Sequence, residues 1–157
     1  MKRFACILLL LMGGMASFAN THTIKSPDGK LLVNVEEADG KLTYSVNYEG
    51  KQLLQPSLLG LKSDVGDYTQ GLKVTDVRER KVSYSYTMTG TKASSKEYEA
   101  NAVELVISAA DAKRLMTLEM QVSNNDIAYR YHLEGAKTND QDEPRRATIL
   151  AEVSGFK

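Results

Sequence analysis

The sequence predicts an all-β, antiparallel sandwich with few or no helices, and three observations carry that prediction. Apolar and polar residues alternate with a period of two in three separate segments, Leu42 to Tyr48, Val82 to Met88 and Ile127 to Leu133, the pattern of a strand with one buried face. Turn residues punctuate the chain at short intervals. Between them lies no ten-residue helical pattern of the kind that crossovers in a parallel α/β sheet require.

The elements follow in order. Pro27-Asp28-Gly29 makes a turn ahead of the apolar segment Leu31 to Val35, and Asp39-Gly40 turns that strand into the next. There Leu42, Tyr44, Val46 and Tyr48 share one face, Thr43, Ser45 and Asn47 the other, and Glu49-Gly50-Lys51 ends the strand. Val82, Tyr84, Tyr86 and Met88 repeat the rhythm against Ser83, Ser85 and Thr87. Val103, Leu105 and Ile107, then Met116, Leu118, Met120 and Val122, alternate on either side of Asp111-Ala112-Lys113 and read as a hairpin. Asn124-Asn125-Asp126 leads into Ile127, Tyr129, Tyr131 and Leu133, set against Ala128, Arg130 and His132. A helix over 94–105 has only the thin stripe Tyr98, Ala102 and Leu105, so Val103 to Ile107 is read as strand. Lys137 to Arg146, rich in Asn, Asp, Gln and Glu with one Pro, reads as a polar loop.

The first residues have a different purpose. Met1-Lys2-Arg3, the apolar run Phe4 to Met12 and the small-x-small site Ser17-Phe18-Ala19 describe a secretory signal peptide over 1–19. The run is shorter than the roughly 20 residues that cross a bilayer, so no membrane span is expected. Residues 20–157 then form one domain, delivered to the periplasm or secreted. Cys6, the only cysteine, lies inside the signal, so the exported part has neither a disulfide nor a cysteine metal site.

Charge excludes a further class of function. Removing Lys2 and Arg3 from the 20 basic residues leaves 18 against 20 acidic ones, interspersed as in Arg78-Glu79-Arg80-Lys81. No nucleic-acid partner is expected, because a polyanion binder carries a clustered positive excess.

Catalytic machinery is not found. Glycosidic hydrolysis takes two carboxyls across a cleft, about 5 to 9.5 Å apart. Glu36 and Glu37 are neighbours on a strand and point to opposite faces, while Glu97 and Glu99 share a face in the manner of ordinary solvent-facing charges. His22 and His132 have no partner at chelating spacing. Ser63-Asp64-Val65-Gly66-Asp67 has two carboxylates but lacks the alternating ligands of a calcium loop, and reads as a turn. Most of the eight tyrosines alternate in register with Val, Ile, Leu and Met and read as core. Tyr68, in a turn region, is the exception and the one candidate carbohydrate-binding residue. No residue is assigned a catalytic or metal-binding role.

Four segments, in order, resemble the N-terminal domain of glycoside hydrolase family 97. They are Ser26-Pro27-Asp28-Gly29-Lys30, Leu58-Leu59-Gly60-Leu61, the run Val82 to Gly90, and the run Val122 to Leu133. The resemblance implies a galactose-mutarotase-like β-super-sandwich, preceding a catalytic (β/α)8 barrel in a bacterial exo-acting α-glucosidase or α-galactosidase that degrades oligosaccharides. It implies that the catalytic carboxylates and most calcium ligands lie in the barrel, that the calcium-binding glutamate of the N-terminal domain lies beyond Lys157, and that no cofactor is held within 1–157. It implies further strands after Lys157, so 20–157 is expected to be a partial sandwich with unpaired edges and uncovered apolar surface. The expected partners are the catalytic barrel of the same enzyme and its oligosaccharide substrate. The competing expectation is a free-standing, secreted carbohydrate-binding or adhesive sandwich that uses Tyr68 and other exposed aromatics.

Overall fold

The computed structural model describes residues 19–90, 95–133 and 147–157. The signal segment with Cys6 and the polar loop expected over 137–146 lie outside those residues, apart from Ala19. What is described is all strand and turn, in three antiparallel sheets.

The first sheet is a meander of β1 (Asn20–Lys25), β2 (Leu31–Ala38), β3 (Lys41–Tyr48) and β4 (Lys51–Leu59) in that spatial order. Its second and third hairpins close with two-residue turns in which both residues have positive φ: Asp39 at 50° and Gly40 at 69°, then Glu49 at 47° and Gly50 at 81°. Such turns match the right-handed twist of paired strands, and this is why Asp-Gly and Glu-Gly stand there. The second sheet, in the order β10-β9-β8-β7, is formed by β7 (Leu72–Thr87), β8 (Ser95–Ala109), β9 (Met116–Ser123) and β10 (Ile127–Leu133). A small third sheet pairs β5 (Leu61–Ser63) with β6 (Gly66–Tyr68) on one side and β11 (Ile149–Glu152) on the other.

The two large sheets bury their apolar faces against each other. Val33, Val35, Leu42, Tyr44 and Val46 from the first meet Val103, Leu105, Ile107, Met116, Leu118, Met120 and Val122 from the second in one cluster, none more than 6 % exposed. Each such burial contributes roughly 1.5–3 kcal/mol. One carboxylate crosses between the sheets: Glu37 Oε2 accepts the Val74 N–H at 3.0 Å. Thr75 forms a bulge immediately beyond, where the β7–β8 register shifts, so Glu37 satisfies a backbone donor next to an irregular point of the ladder.

The expected strands from Leu31, Leu42, Val103, Met116 and Ile127 are all present, and the segment with some helical propensity is strand from Ser95 onward. One expectation fails in burial. The alternation predicts Tyr84, Tyr86 and Met88 on the core side of a half-buried strand, yet they are 53 %, 42 % and 37 % exposed. The rows Tyr84–Tyr98 and Tyr86–Lys96 lie on the side of the β7–β8 hairpin opposite to Val103, Leu105 and Ile107, so these side chains point away from the core. Alternation records which residues share a face; it does not say that the face has a partner.

Candidate functional site

The sequence-predicted positions come apart in the structure. Tyr68 is fully buried, with its ring against Gly66 and its Oη donating to the Arg114 carbonyl at 3.2 Å. Burial pushes its phenol above the usual tyrosine range. A stacking platform must offer a ring face, and this ring offers none, so Tyr68 is corrected from sugar platform to core residue. Its place follows from the β5–β6 hairpin, whose two-residue turn Asp64-Val65 folds Gly66–Tyr68 back along Leu61–Ser63.

The carboxylates of that hairpin serve the chain itself. Asp64 Oδ1 accepts the Thr148 N–H at 2.8 Å, and Asp67 bonds both the N–H and the hydroxyl of Thr69 and pairs with Lys62 at 3.2 Å. Glu36 and Glu37 diverge as their adjacency requires, and Glu97 and Glu99 are exposed opposite Ser85 and Ser83. His132 is exposed on β10, whereas His22 sits on β1 with its Nε2 buried and unpartnered among the described residues. Among the described residues no group of three His, Cys, Asp or Glu could hold a metal ion.

A different constellation lies on the outer face of the second sheet. Cross-strand register puts Arg78, Glu104, Glu119 and Arg130 in one row across β7, β8, β9 and β10. The next row is Arg80, Ala102, Gln121 and Ala128, then Val82, Ala100 and Ser123, then Tyr84 and Tyr98. Two glutamates side by side would repel, and two arginines prevent this. Arg80 pairs through Nη2 with Glu119 and through Nε with Glu104 at 3.5 Å, while Arg130 Nε donates to Glu119 at 2.6 Å.

Glu119 is the centre of this network and only 6 % exposed. Burial pushes its carboxyl up, but the hydrogen bond from Gln121 and the charges of Arg130 and Arg80 outweigh burial and hold it below the usual glutamate range. Its four lone-pair directions are taken by Arg80, Gln121 and the fork of Arg130. It is a fixed anion that orients guanidiniums. Proton transfer would need a free oxygen and a pKa near neutrality, and Glu119 has neither.

At the far end of this face three tyrosines gather. Tyr84 and Tyr98 lie with ring centroids 5.0 Å apart and planes 30° off parallel, and Tyr86 lies 6.1 Å from Tyr84. Between rings and arginines Ala100 and Ala102, each 2 % exposed, are sunk beneath larger neighbours. Sequence reasoning missed the face because its members come from four strands. The available signal was the phase of β8, which puts Tyr98, Ala100, Ala102 and Glu104 on one side and Val103, Leu105 and Ile107 on the other.

A family model described as glycosyl-hydrolase 97 N-terminal matches residues 24–157. The chain is 27 % identical over 158 residues to a retaining alpha-galactosidase of Bacteroides thetaiotaomicron, covering 99 % of this chain and 22 % of that protein. It is 25 % identical over 141 residues to a probable retaining alpha-galactosidase of Streptomyces bingchenggensis, covering 87 % and 21 %. A crystal structure of a beta-arabinopyranosidase superposes with a TM-score of 0.75 at 32 % identity over 86 % of this chain and 21 % of that one. A family 97 enzyme of a Pseudoalteromonas species in complex with panose gives 0.72 at 15 % identity, over 86 % and 20 %, a likeness of fold. The chain thus spans about a fifth of the length of the relatives it matches.

Proposed function

The chain belongs to the glycosyl-hydrolase 97 N-terminal family, and from that premise we propose that it is the non-catalytic N-terminal domain of a secreted glycoside hydrolase acting on oligosaccharides, of the α-galactosidase or α-glucosidase type. The observation that carries the reading is the family match over residues 24–157 alongside relatives several times longer, two of them named as retaining alpha-galactosidases. In such an enzyme the domain packs on a catalytic barrel. Apolar side chains available for that contact include Ile149, Leu150, Val153 and Phe156, from 37 % to 77 % exposed on β11 and on the segment after it that runs along β4. The apolar leader over 1–19 supports export to the periplasm or beyond.

The test is hydrolysis. Purified chain incubated with nitrophenyl α-galactoside and α-glucoside should release nitrophenol at the buffer rate, and the source gene should continue in frame from the Lys157 codon into a barrel. Enzyme-like turnover by the chain alone, or a stop codon after Lys157, overturns the reading. A second reading, a free-standing carbohydrate-binding or adhesive sandwich, is favoured by the exposed Tyr84 and Tyr86 of β7.

A further inference from the structure

We infer that the outer face of the second sheet, from the Tyr84–Tyr86–Tyr98 cluster to the Arg80–Glu119–Arg130 clamp, is a binding site for a neutral oligosaccharide. The inference holds whether or not the chain is part of a longer hydrolase. It rests on side chains of one continuous surface, and each half of that surface suits a different part of a sugar.

The rings suit the apolar faces of pyranoses. Tyr84 and Tyr86 are 53 % and 42 % exposed, and a sugar's axial C–H groups can lie on such rings while its equatorial hydroxyls remain solvated. Aromatic side chains with one wet end fit a ligand that is apolar above and below and polar around its rim. The Tyr84–Tyr98 contact holds the rings in place, and Tyr98 Oη lies 3.4 Å from Asp126 Oδ1 in the β9–β10 turn.

The clamp suits hydroxyl oxygens. A guanidinium has five N–H donors. Arg130 gives Nε and one Nη to Glu119, and its side chain is 75 % exposed, so its remaining donors face solvent. Arg80 is anchored by Glu119 and Glu104 and is 44 % exposed. The acceptors of Glu119 are already used within the site, so what the clamp offers a ligand is donors. From the Arg80 row to the Tyr84 row is four residues along a strand, about 13 Å, a distance that a short oligosaccharide spans.

Charge selects the class of ligand. Arg80 and Arg130 are balanced by Glu104 and Glu119, and Arg78 is paired with Asp76 at 2.9 Å. A face with no net charge gives an acidic glycan no electrostatic gain, and a neutral one keeps its solvation balance.

The experiment is native electrophoresis of the purified chain in gels cast with soluble starch, galactomannan or polygalacturonate. Retardation is expected in starch or galactomannan and not in polygalacturonate. Tyr84→Ala and Tyr86→Ala should each weaken it at least tenfold, with the far-ultraviolet circular dichroism unchanged and the melt still cooperative because both rings lie outside the core, and Tyr68→Phe should leave it as in the wild type. The inference is overturned by the absence of retardation in both neutral polymers, by retardation that survives both alanine variants, or by retardation in polygalacturonate alone. It is equally overturned if sedimentation shows a dimer that Tyr84→Ala dissolves, since the face would then belong to a second copy.

Discussion

Tyr131 Oη accepts the Gly60 N–H at 2.9 Å and lies 2.8 Å from Ser154 Oγ, so one phenol on β10 ties the second sheet to the β4–β5 junction and to the segment after β11. Without it a buried backbone donor loses its partner. Tyr131→Phe should cost about 1–3 kcal/mol, measured as a lower urea midpoint with an unchanged slope.

The same phenol predicts alkaline behaviour. Burial pushes Tyr131 up from 10.0 to about 12, against the opposing hydrogen bonds from Ser154 and Gly60. A group whose folded pKa is raised holds its proton longer in the native state, so its contribution is complete below pH 10 and is lost as pH rises through 12. Ultraviolet titration of phenolate should show a late-ionising tyrosine that is missing in Tyr131→Phe.

Acid should act through Glu119. Its folded pKa lies below the ordinary 4.5, since Gln121, Arg130 and Arg80 together outweigh burial. Its contribution is therefore complete above about pH 4.5 and is lost as pH falls through the lowered value. Asp28 and Asp67 are lowered too, so the informative quantity is a difference: between pH 7 and pH 3 the wild type should lose more stability than Glu119→Gln. Equal losses would mean that Glu119 is not held by its arginines. Arg130→Ala should cost about 1–3 kcal/mol at pH 7, because it strips both partners from Oε2 of the buried Glu119.

Gly60 predicts a backbone failure. Its φ is +150°, and a Cβ there would lie 2.4 Å from the Tyr68 carbonyl oxygen. Gly60→Ala should destabilise by more than about 1 kcal/mol, with thermal melting as the readout, whereas Gly50→Ala, at a positive φ of 81° with open space around it, should cost less.

Tyr68 separates core from site. Tyr68→Ala should lower stability by about 3–5 kcal/mol through a cavity, and Tyr68→Phe by roughly 0.5–1.5 kcal/mol for one hydrogen bond. Calorimetry of the two variants checks the order. A Tyr68→Ala protein as stable as the wild type would return that ring to the surface.

The all-β class, the turns at Asp39-Gly40 and Glu49-Gly50 and the hairpin around Asp111 to Lys113 were determined by the sequence alone, because period-two alternation and positive-φ turn residues act within a few residues of chain. The β5–β6 hairpin was less legible, since three-residue strands are too short to show a period. Burial belongs to tertiary structure. Tyr84 and Tyr68 exchanged their expected environments because exposure depends on whether another layer lies opposite, and that layer comes from residues tens of positions away. The row Arg78, Glu104, Glu119, Arg130 likewise exists only once four strands are in register, so its chemistry belongs to the folded sheet and to no single segment.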